Sequence, residues 1–280
     1  MRGSLHRQRN ENPRPMNNLQ LHFSRIAPDY RELRITDLAP ILWIKARMRR
    51  FSSGIKAADI GCGDGRYSLE LFRHLGEGFF LDCVDNNRQM LKEARRYLSK
   101  HGIKDFRIKQ SLDSSLLAKD ASLDCLFTFK AVQHFNLPGF LKEAERVLKE
   151  KGSLFIYTRL RSQNKRNIWG RYFPLFHQKE TWLYELSELE GPLKEVHDLR
   201  IEGWKYFRYE RVASLERLIE QAQNHHYSTF SLYTEPEFEE SCAQFEANLR
   251  QYSPAPNPIR WCDENILLMV RKVKEGLARQ

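Results

Sequence analysis

At 280 residues the chain is long enough for one large domain or one domain with a sizeable insertion, and 41% hydrophobic with 29% charged residues is ordinary for a folded protein. No apolar run approaches the roughly 18 residues of a membrane-crossing helix, and no apolar signal core opens the chain, so a cytoplasmic location is expected. The net charge of +10 invites a nucleic-acid reading, but residues 1–15 supply +3 of it, from Arg2, Arg7, Arg9 and Arg14 against Glu11.

Those first fifteen residues lack hydrophobic periodicity and read as a disordered leader, either a tag ahead of Met16 or a native basic arm. From Met16, Leu19, Leu21, Phe23, Ile26, Tyr30 and Leu33 fall close to helical spacing, and a second helix is expected over 38–51. An apolar strand over 56–60 then ends in Asp59-Ile60-Gly61-Cys62-Gly63-Asp64-Gly65, with a helix following from residue 67 to 75. Glycine serves where the backbone takes positive φ or where a ligand must approach the main chain, and the free N–H groups of a helix start favour an electron-rich group. The turn therefore reads as a pocket for part of a nucleotide-like cofactor. Its spacing is not the dinucleotide G-x-G-x-x-G, and no Gly-Lys-Ser/Thr follows as a P-loop requires.

A second strand over 79–85 ends in Asp85, beside Asn86. An acid about 20 residues beyond a glycine turn stands where a ribose diol finds its acceptor, since a carboxylate accepts from both hydroxyls; the competing role is the N-cap of the next helix, expected over 87–99. Strands over 106–110, 121–129 and 153–158 follow, with a helix over 137–150 before the last. Beyond residue 160 the pattern loosens: a helix over 179–189, a strand over 197–209, helices over 214–224 and 235–251, and a strand over 265–270. Strands alternating with helices imply a mostly parallel sheet covered on both faces. The five cysteines (Cys62, Cys83, Cys125, Cys242, Cys262) form no C-x-x-C pair, and no metal site is expected.

Asp59–Gly65 resembles the D-x-G-C-G-x-G motif of class I S-adenosylmethionine-dependent methyltransferases. Phe23-Ser24-Arg25-Ile26-Ala27-Pro28-Asp29-Tyr30 is similar to the F-x-x-I-A-x-x-Y entry segment of the type-11 and ubiquinone-biosynthesis members, and residues 140–152 resemble their F-L-x-E-x-x-R-V-L-K-P-G-G phrase. The resemblance implies an α/β, doubly wound, seven-stranded Rossmann-like sheet with an antiparallel last strand. Here the roughly 50 residues between the final two strands imply a helical cap. The resemblance divides the chain into the leader, a cofactor-binding core over 16–160 and a C-terminal part over 161–280 that completes the sheet.

It also implies S-adenosyl-L-methionine as cofactor and S-adenosyl-L-homocysteine as product. Asp59, Gly61, Cys62, Gly63 and Gly65 form the turn, Asp85 and Asn86 meet the ribose, and Asp113 is the candidate for the adenine amino group. Lys130 and Ala131 flank the methionine moiety, and His134 and Tyr30 are the candidate catalytic residues. His177 and the His225-His226 pair are reserves. The expected acceptor is a small molecule, with the cap aromatics Trp169, Tyr172, Phe173, Trp182, Tyr206 and Phe207 either lining its pocket or packing in the core. RNA is the alternative, through Arg159, Arg161, Lys165, Arg166 and Arg171; a cofactor-binding protein without catalysis is the third reading. The acceptor and the oligomeric state are not legible.

Overall fold

A computed structural model describes residues 16–48, 54–253 and 258–273; the expected leader, 1–15, lies outside them. The described residues open with three helices, α1 (Met16–Ile26), α2 (Tyr30–Leu33) and α3 (Ala39–Met48). Pro28, which has no N–H to donate, falls in the break between α1 and α2. The alternating part runs β1 (Lys56–Ile60), α4 (Arg66–Leu75), β2 (Phe80–Asp85), α5 (Arg88–Lys100), β3 (Phe106–Gln110), β4 (Leu123–Phe129), α6 (Leu137–Val147) and β5 (Leu148–Thr158). Short helices α7 (Arg161–Arg166), α8 (Ile168–Tyr172) and α9 (Phe176–Lys179) follow, then α10 (Leu186–Glu195), β6 (Leu199–Ala213), α11 (Leu215–Gln223), α12 (Glu235–Tyr252) and β7 (Ile259–Lys272).

The seven strands form one sheet in the order β3-β2-β1-β4-β5-β7-β6. β1 to β5 are parallel where they pair, and β7 runs antiparallel to both β5 and β6. Because side chains alternate across a strand, neighbouring residues feed opposite apolar layers. Ala58, Leu126, Leu154, Ile156 and Leu268 pack with α6 and α10, whereas Ala57, Cys125, Phe127, Phe155 and Leu267 pack with α3, α4 and α5. The strands are thus covered on both faces, which explains their continuous apolar runs.

The cap builds a third, separate core. Trp169, Phe173, Phe176, Phe230, Phe245 and Leu249 are buried together with Ile259 at the start of β7. Phe207 packs against Tyr157 in the main sheet, while Tyr206 remains half exposed on β6.

Several elements differ from expectation: the strand expected over 197–209 runs from Leu199 to Ala213, and the short helices α7, α8 and α9 were not expected. The expected helix over 137–150 stops at Val147, because Leu148 pairs with Leu123 and buries its side chain, opening β5 early. The expected helix over 179–189 is shifted: helix begins only at Leu186 and runs to Glu195. Residues 180–185 form an irregular strap whose Glu180 carboxylate accepts from the Thr229 hydroxyl and the Trp182 N–H. Helix α10 starts beyond it, where the Glu188 carboxylate accepts from the Glu185 N–H at 2.7 Å. The last strand is more than twice the expected length, since β6 and β7 stay paired from Leu199↔Lys272 to Ala213↔Ile259.

Candidate active site

The glycine turn joins β1 to α4, and each glycine there answers a different demand. A Cβ on Gly61 would lie 2.5 Å from the Ala131 Cβ, and one on Gly65 would lie 3.1 Å from the Ala94 backbone. Those two let the turn meet the β4 end and let α4 meet α5. Gly63 takes φ +56 and nothing lies within 4 Å of where its Cβ would stand, so the backbone there is open to a cavity.

That cavity, about 410 Å3, is lined by the whole turn from Asp59 to Asp64, by Asp85, Asn86 and Asp113, and by Lys130, Ala131 and His134. The other walls come from α1 and α2 (Leu19, Phe23, Tyr30), from Met90, and from Trp182 and Tyr184 of the strap. The sequence-distant candidates therefore meet at the carboxyl ends of β1, β2 and β4, where ligands sit in open α/β sheets. Gly65 is set back at the α4 cap. Cys62 lines the cavity and is buried.

Asp59 is buried, and its Oδ2 accepts from the Ser68 hydroxyl at 2.7 Å while Oδ1 has no partner. Burial pushes its carboxyl up to about 7, against the pull of the Ser68 hydrogen bond. Asp85 accepts from the Gly63 N–H at 2.9 Å and from the Asn87 N–H at 2.8 Å; burial raises its pKa and these bonds oppose the rise. The N-cap of α5 is Asn87 rather than Asp85: its Oδ1 accepts from the Gln89 and Met90 N–H groups. Its Nδ2 donates to the Gln20 carbonyl and the Ser24 hydroxyl, each at 3.0 Å, so one side chain starts α5 and holds α1 over the cavity. Asp113 accepts from the Asn136 N–H at 2.8 Å.

A second cavity of about 280 Å3 adjoins the first, with Phe23, Tyr30, Arg66, Lys130, Gln133 and His134 lining both. Its far side comes from Arg34, Asp37, Arg159, Asn164, Arg211, Tyr227 and Asp263, among others. His134 sits in a short 3-10 turn, with its Nε2 3.2 Å from the Gln133 Nε2 and its ring edge-on to Phe23. Lys130 adopts φ +57, rare for a residue with a side chain, and its Nζ donates to Asn265. Burial, aided by Arg159, lowers its pKa well below the usual range.

Several candidates fall elsewhere. His177 contacts the Gly170 carbonyl and lines neither cavity. His226 is buried, lines the second cavity, and burial with nearby Arg34 lowers its pKa well below the usual range. Among the cap aromatics, Trp182 lines the first cavity and Trp169 the second, while Tyr172, Phe173, Tyr206 and Phe207 line neither. The basic run is largely spent on ion pairs: Arg159 with Asp263 at 3.2 Å, Arg161 with Glu188 at 2.6 Å, and Arg166 with Glu264 at 2.5 Å. Lys165 and Arg171 stay at the surface. Asp37, Arg34, Arg211 and Asp263 carry no motif and were not singled out; their role emerges only when β6, β7 and the α2–α3 link come together. No group of residues able to hold a metal occurs among the described residues, and none of their helices is long and apolar enough to cross a membrane.

The sheet order with its antiparallel β7, and a cavity at the β1–β2–β4 ends, are those of the class I S-adenosylmethionine-dependent methyltransferase fold. Residues 57–152 match the family model of a methyltransferase domain. A ubiquinone biosynthesis O-methyltransferase of Xylella fastidiosa is 31% identical over 108 residues, 38% of this chain and 42% of the relative, so the match spans less than half of that relative's length. Among solved structures, one from Bacillus halodurans described as a methyltransferase superposes with TM-score 0.60 at 18% identity, covering 85% of this chain and 99% of that one. The cyclase SpnF superposes with TM-score 0.59 at 16% identity, covering 91% and 95%. At such identities the likeness is one of fold, and a cyclase within it shows that this fold alone does not name the reaction.

Proposed function

We propose that the protein is an S-adenosylmethionine-dependent methyltransferase acting on a small-molecule acceptor bound in the second cavity. The observation that carries this reading is the pair of adjoining cavities, one walled by the glycine turn and the other polar, with Lys130, Gln133 and His134 between them. The residues fit the cofactor: Gly63 leaves an open cradle, Asp59 keeps an unpartnered buried oxygen for an ammonium group, and Asp85 offers a carboxylate to a diol. Asn86, Leu112 and Asp113 flank the remaining length. When bound, the cofactor supplies an electrophilic methyl group for in-line displacement.

The chain's own contribution is alignment and exclusion of water. α1, α2 and the strap cover the first cavity, and the shared wall places an acceptor atom against it. His134 and Tyr30 line both compartments, and His134 is the proposed acceptor of a proton from a neutral nucleophile. RNA is disfavoured because most of the basic run is held in ion pairs, and the acceptor cavity suits a molecule of a few tens of atoms at most.

S-adenosylhomocysteine at a hundredfold its Kd is expected to add about 2.7 kcal/mol of stability, a rise in melting temperature of roughly 5 °C or more. Asp85→Ala should lose most of that rise; an undiminished shift in the variant would remove Asp85 from the ribose role. Methyl-labelled S-adenosylmethionine incubated with a metabolite extract, and separately with total tRNA, tests the acceptor class, and label entering only the tRNA would overturn the small-molecule reading.

A pH profile tests Asp59. Its raised pKa means the folded protein holds a proton that the unfolded chain releases above 3.8, so this group withdraws stability as pH rises from there to about 7. A ligand ammonium favours the ionised carboxylate, so S-adenosylhomocysteine affinity should climb with pH by up to about tenfold per unit below 7 and then level off. Asp59→Asn should flatten the calorimetric profile between pH 5.5 and 8; a flat profile in the unmutated protein would count against the assignment.

A further inference from the structure

The second cavity gathers cationic side chains whose donors its own acids do not all take up. Six basic side chains and four acidic ones line it; burial works against the charge on Lys130, Arg66 pairs with Asp64 and Arg217 with Glu220 outside it, and the pairing among the rest leaves specific donors over. Arg211 bridges Asp37 and Asp263, at 2.5 and 3.4 Å, and Arg159 reaches Asp263 at 3.2 Å. Burial pushes the Asp263 carboxyl up, but Arg159, Lys130 and Arg211 together hold it below the usual carboxylate range. Glu180 spends its oxygens on the Thr229 hydroxyl and the Trp182 N–H.

Arg34 makes no ion pair or hydrogen bond with the described residues. Its guanidinium lies 4.3 Å from the Tyr227 ring centre and 5.3 Å from that of Tyr30. Arg159 comes to the same tyrosine, with Nη1 3.3 Å from the Tyr227 hydroxyl and the guanidinium carbon 6.0 Å from its ring. Two cations thus converge on one aromatic ring. The Nε of Arg34, the Nε of Arg159 and the Nδ2 of Asn164 are buried without partners, and Arg159 and Asn164 are 7% and 3% exposed. Buried donors left unmade and like charges drawn together both cost free energy, and an oxyanion placed among them relieves both.

We propose that the acceptor is held in this cavity by a carboxylate or phosphate group, seated against Arg34, the Nε of Arg159 and the Nδ2 of Asn164. The planar fork of Arg34, joined by the Arg159 Nε, suits either oxyanion. The inference rests on the methyltransferase reading for the word acceptor, but anion binding itself does not depend on it. With the anion fixed at Tyr227, the body of the molecule extends toward His134 and Lys130 at the shared wall, where its nucleophile meets the first cavity.

The test titrates the protein, with and without saturating S-adenosylhomocysteine, with benzoate, phenyl phosphate and the uncharged isostere benzamide. Benzoate or phenyl phosphate should bind at millimolar Kd or better, at least tenfold tighter than benzamide, and the tighter of the two identifies the anion. Arg34→Gln, which breaks no ion pair, should weaken the anion at least tenfold while leaving the S-adenosylhomocysteine Kd within twofold. Benzamide binding as well as benzoate, no binding of either anion, or an undiminished affinity in Arg34→Gln would each overturn the proposal. Anion binding without S-adenosylhomocysteine binding would instead sink the cofactor reading and leave the oxyanion site standing.

Discussion

Gly63→Val is expected to yield a folded protein that has lost S-adenosylhomocysteine binding by at least a hundredfold. A β-branched residue at φ +56 is strained by about 1–2 kcal/mol, which lowers the melting temperature by a few degrees without unfolding the chain. The new side chain meets no protein atom within 4 Å; it occupies the cavity instead, along the path by which a ligand reaches the main chain. Gly61→Ala is the contrasting control. Its Cβ would stand 2.5 Å from the Ala131 Cβ and 3.2 Å from the Phe135 ring, so it should damage the packing of the turn itself. Calorimetric titration together with thermal melts separates the two, and micromolar binding retained in Gly63→Val would refute the cavity's role.

Asp37→Ala should destabilise the fold by about 3 kcal/mol, at the low end of the range for breaking a buried ion pair because Asp263 still faces Arg211. Asp37 sits in the link between α2 and α3 and is 6% exposed. It accepts from the Tyr157 hydroxyl at 2.7 Å and pairs with Arg211, while its own N–H donates to the Tyr67 hydroxyl at 3.3 Å. One residue therefore ties the N-terminal helices to α4, β5 and β6. Asp37→Asn, which can still accept from Tyr157, should cost clearly less. Urea unfolding reads the difference as a shift in midpoint at constant slope; a loss below about 1 kcal/mol in Asp37→Ala would mean that the neighbouring groups re-pair without it.

The two cavities were unequally legible in the sequence, and the reason is physical. The first is built from short contiguous stretches that must close a strand–turn–helix, so Asp59–Gly65, Asp85 and Lys130–His134 are marked by local residue type and spacing. Beyond the wall it shares with the first, the second is assembled from single residues far apart in the chain, 174 positions in the Asp37–Arg211 bond and 188 in the Gln221–Leu33 bond, and no local pattern marks them. Arg159 was legible as a charge but not as a buried one, because its partner Asp263 belongs to β7. The strap over 180–185 was misread as helix for a similar reason. Glu180 and Trp182 are acceptable helix formers, and the bond from the Thr229 hydroxyl across the cap to Glu180 joins residues 49 apart that no local pattern links. The apolar periodicities, by contrast, carried through: α5 and α6 turn the expected faces inward.

The placement of β7 sets an order on how the protein is made. Among the described residues β6 pairs with β7 and with no other strand, yet β7 follows it after two helices and lies between it and β5. As the chain leaves the ribosome, β1 to β5 can assemble as soon as they emerge, but β6 has no neighbour to accept its ladder until residues 259–272 are synthesised. At about 5–20 residues per second, the roughly 45 intervening residues leave β5 and β6 with bare edges for seconds. Those edges are where a nascent or truncated chain is most exposed to wrong pairing. The second cavity inherits the same delay, because Asp263 and Asn265 arrive with β7: the walls of the glycine-turn cavity can form before those of its neighbour are complete.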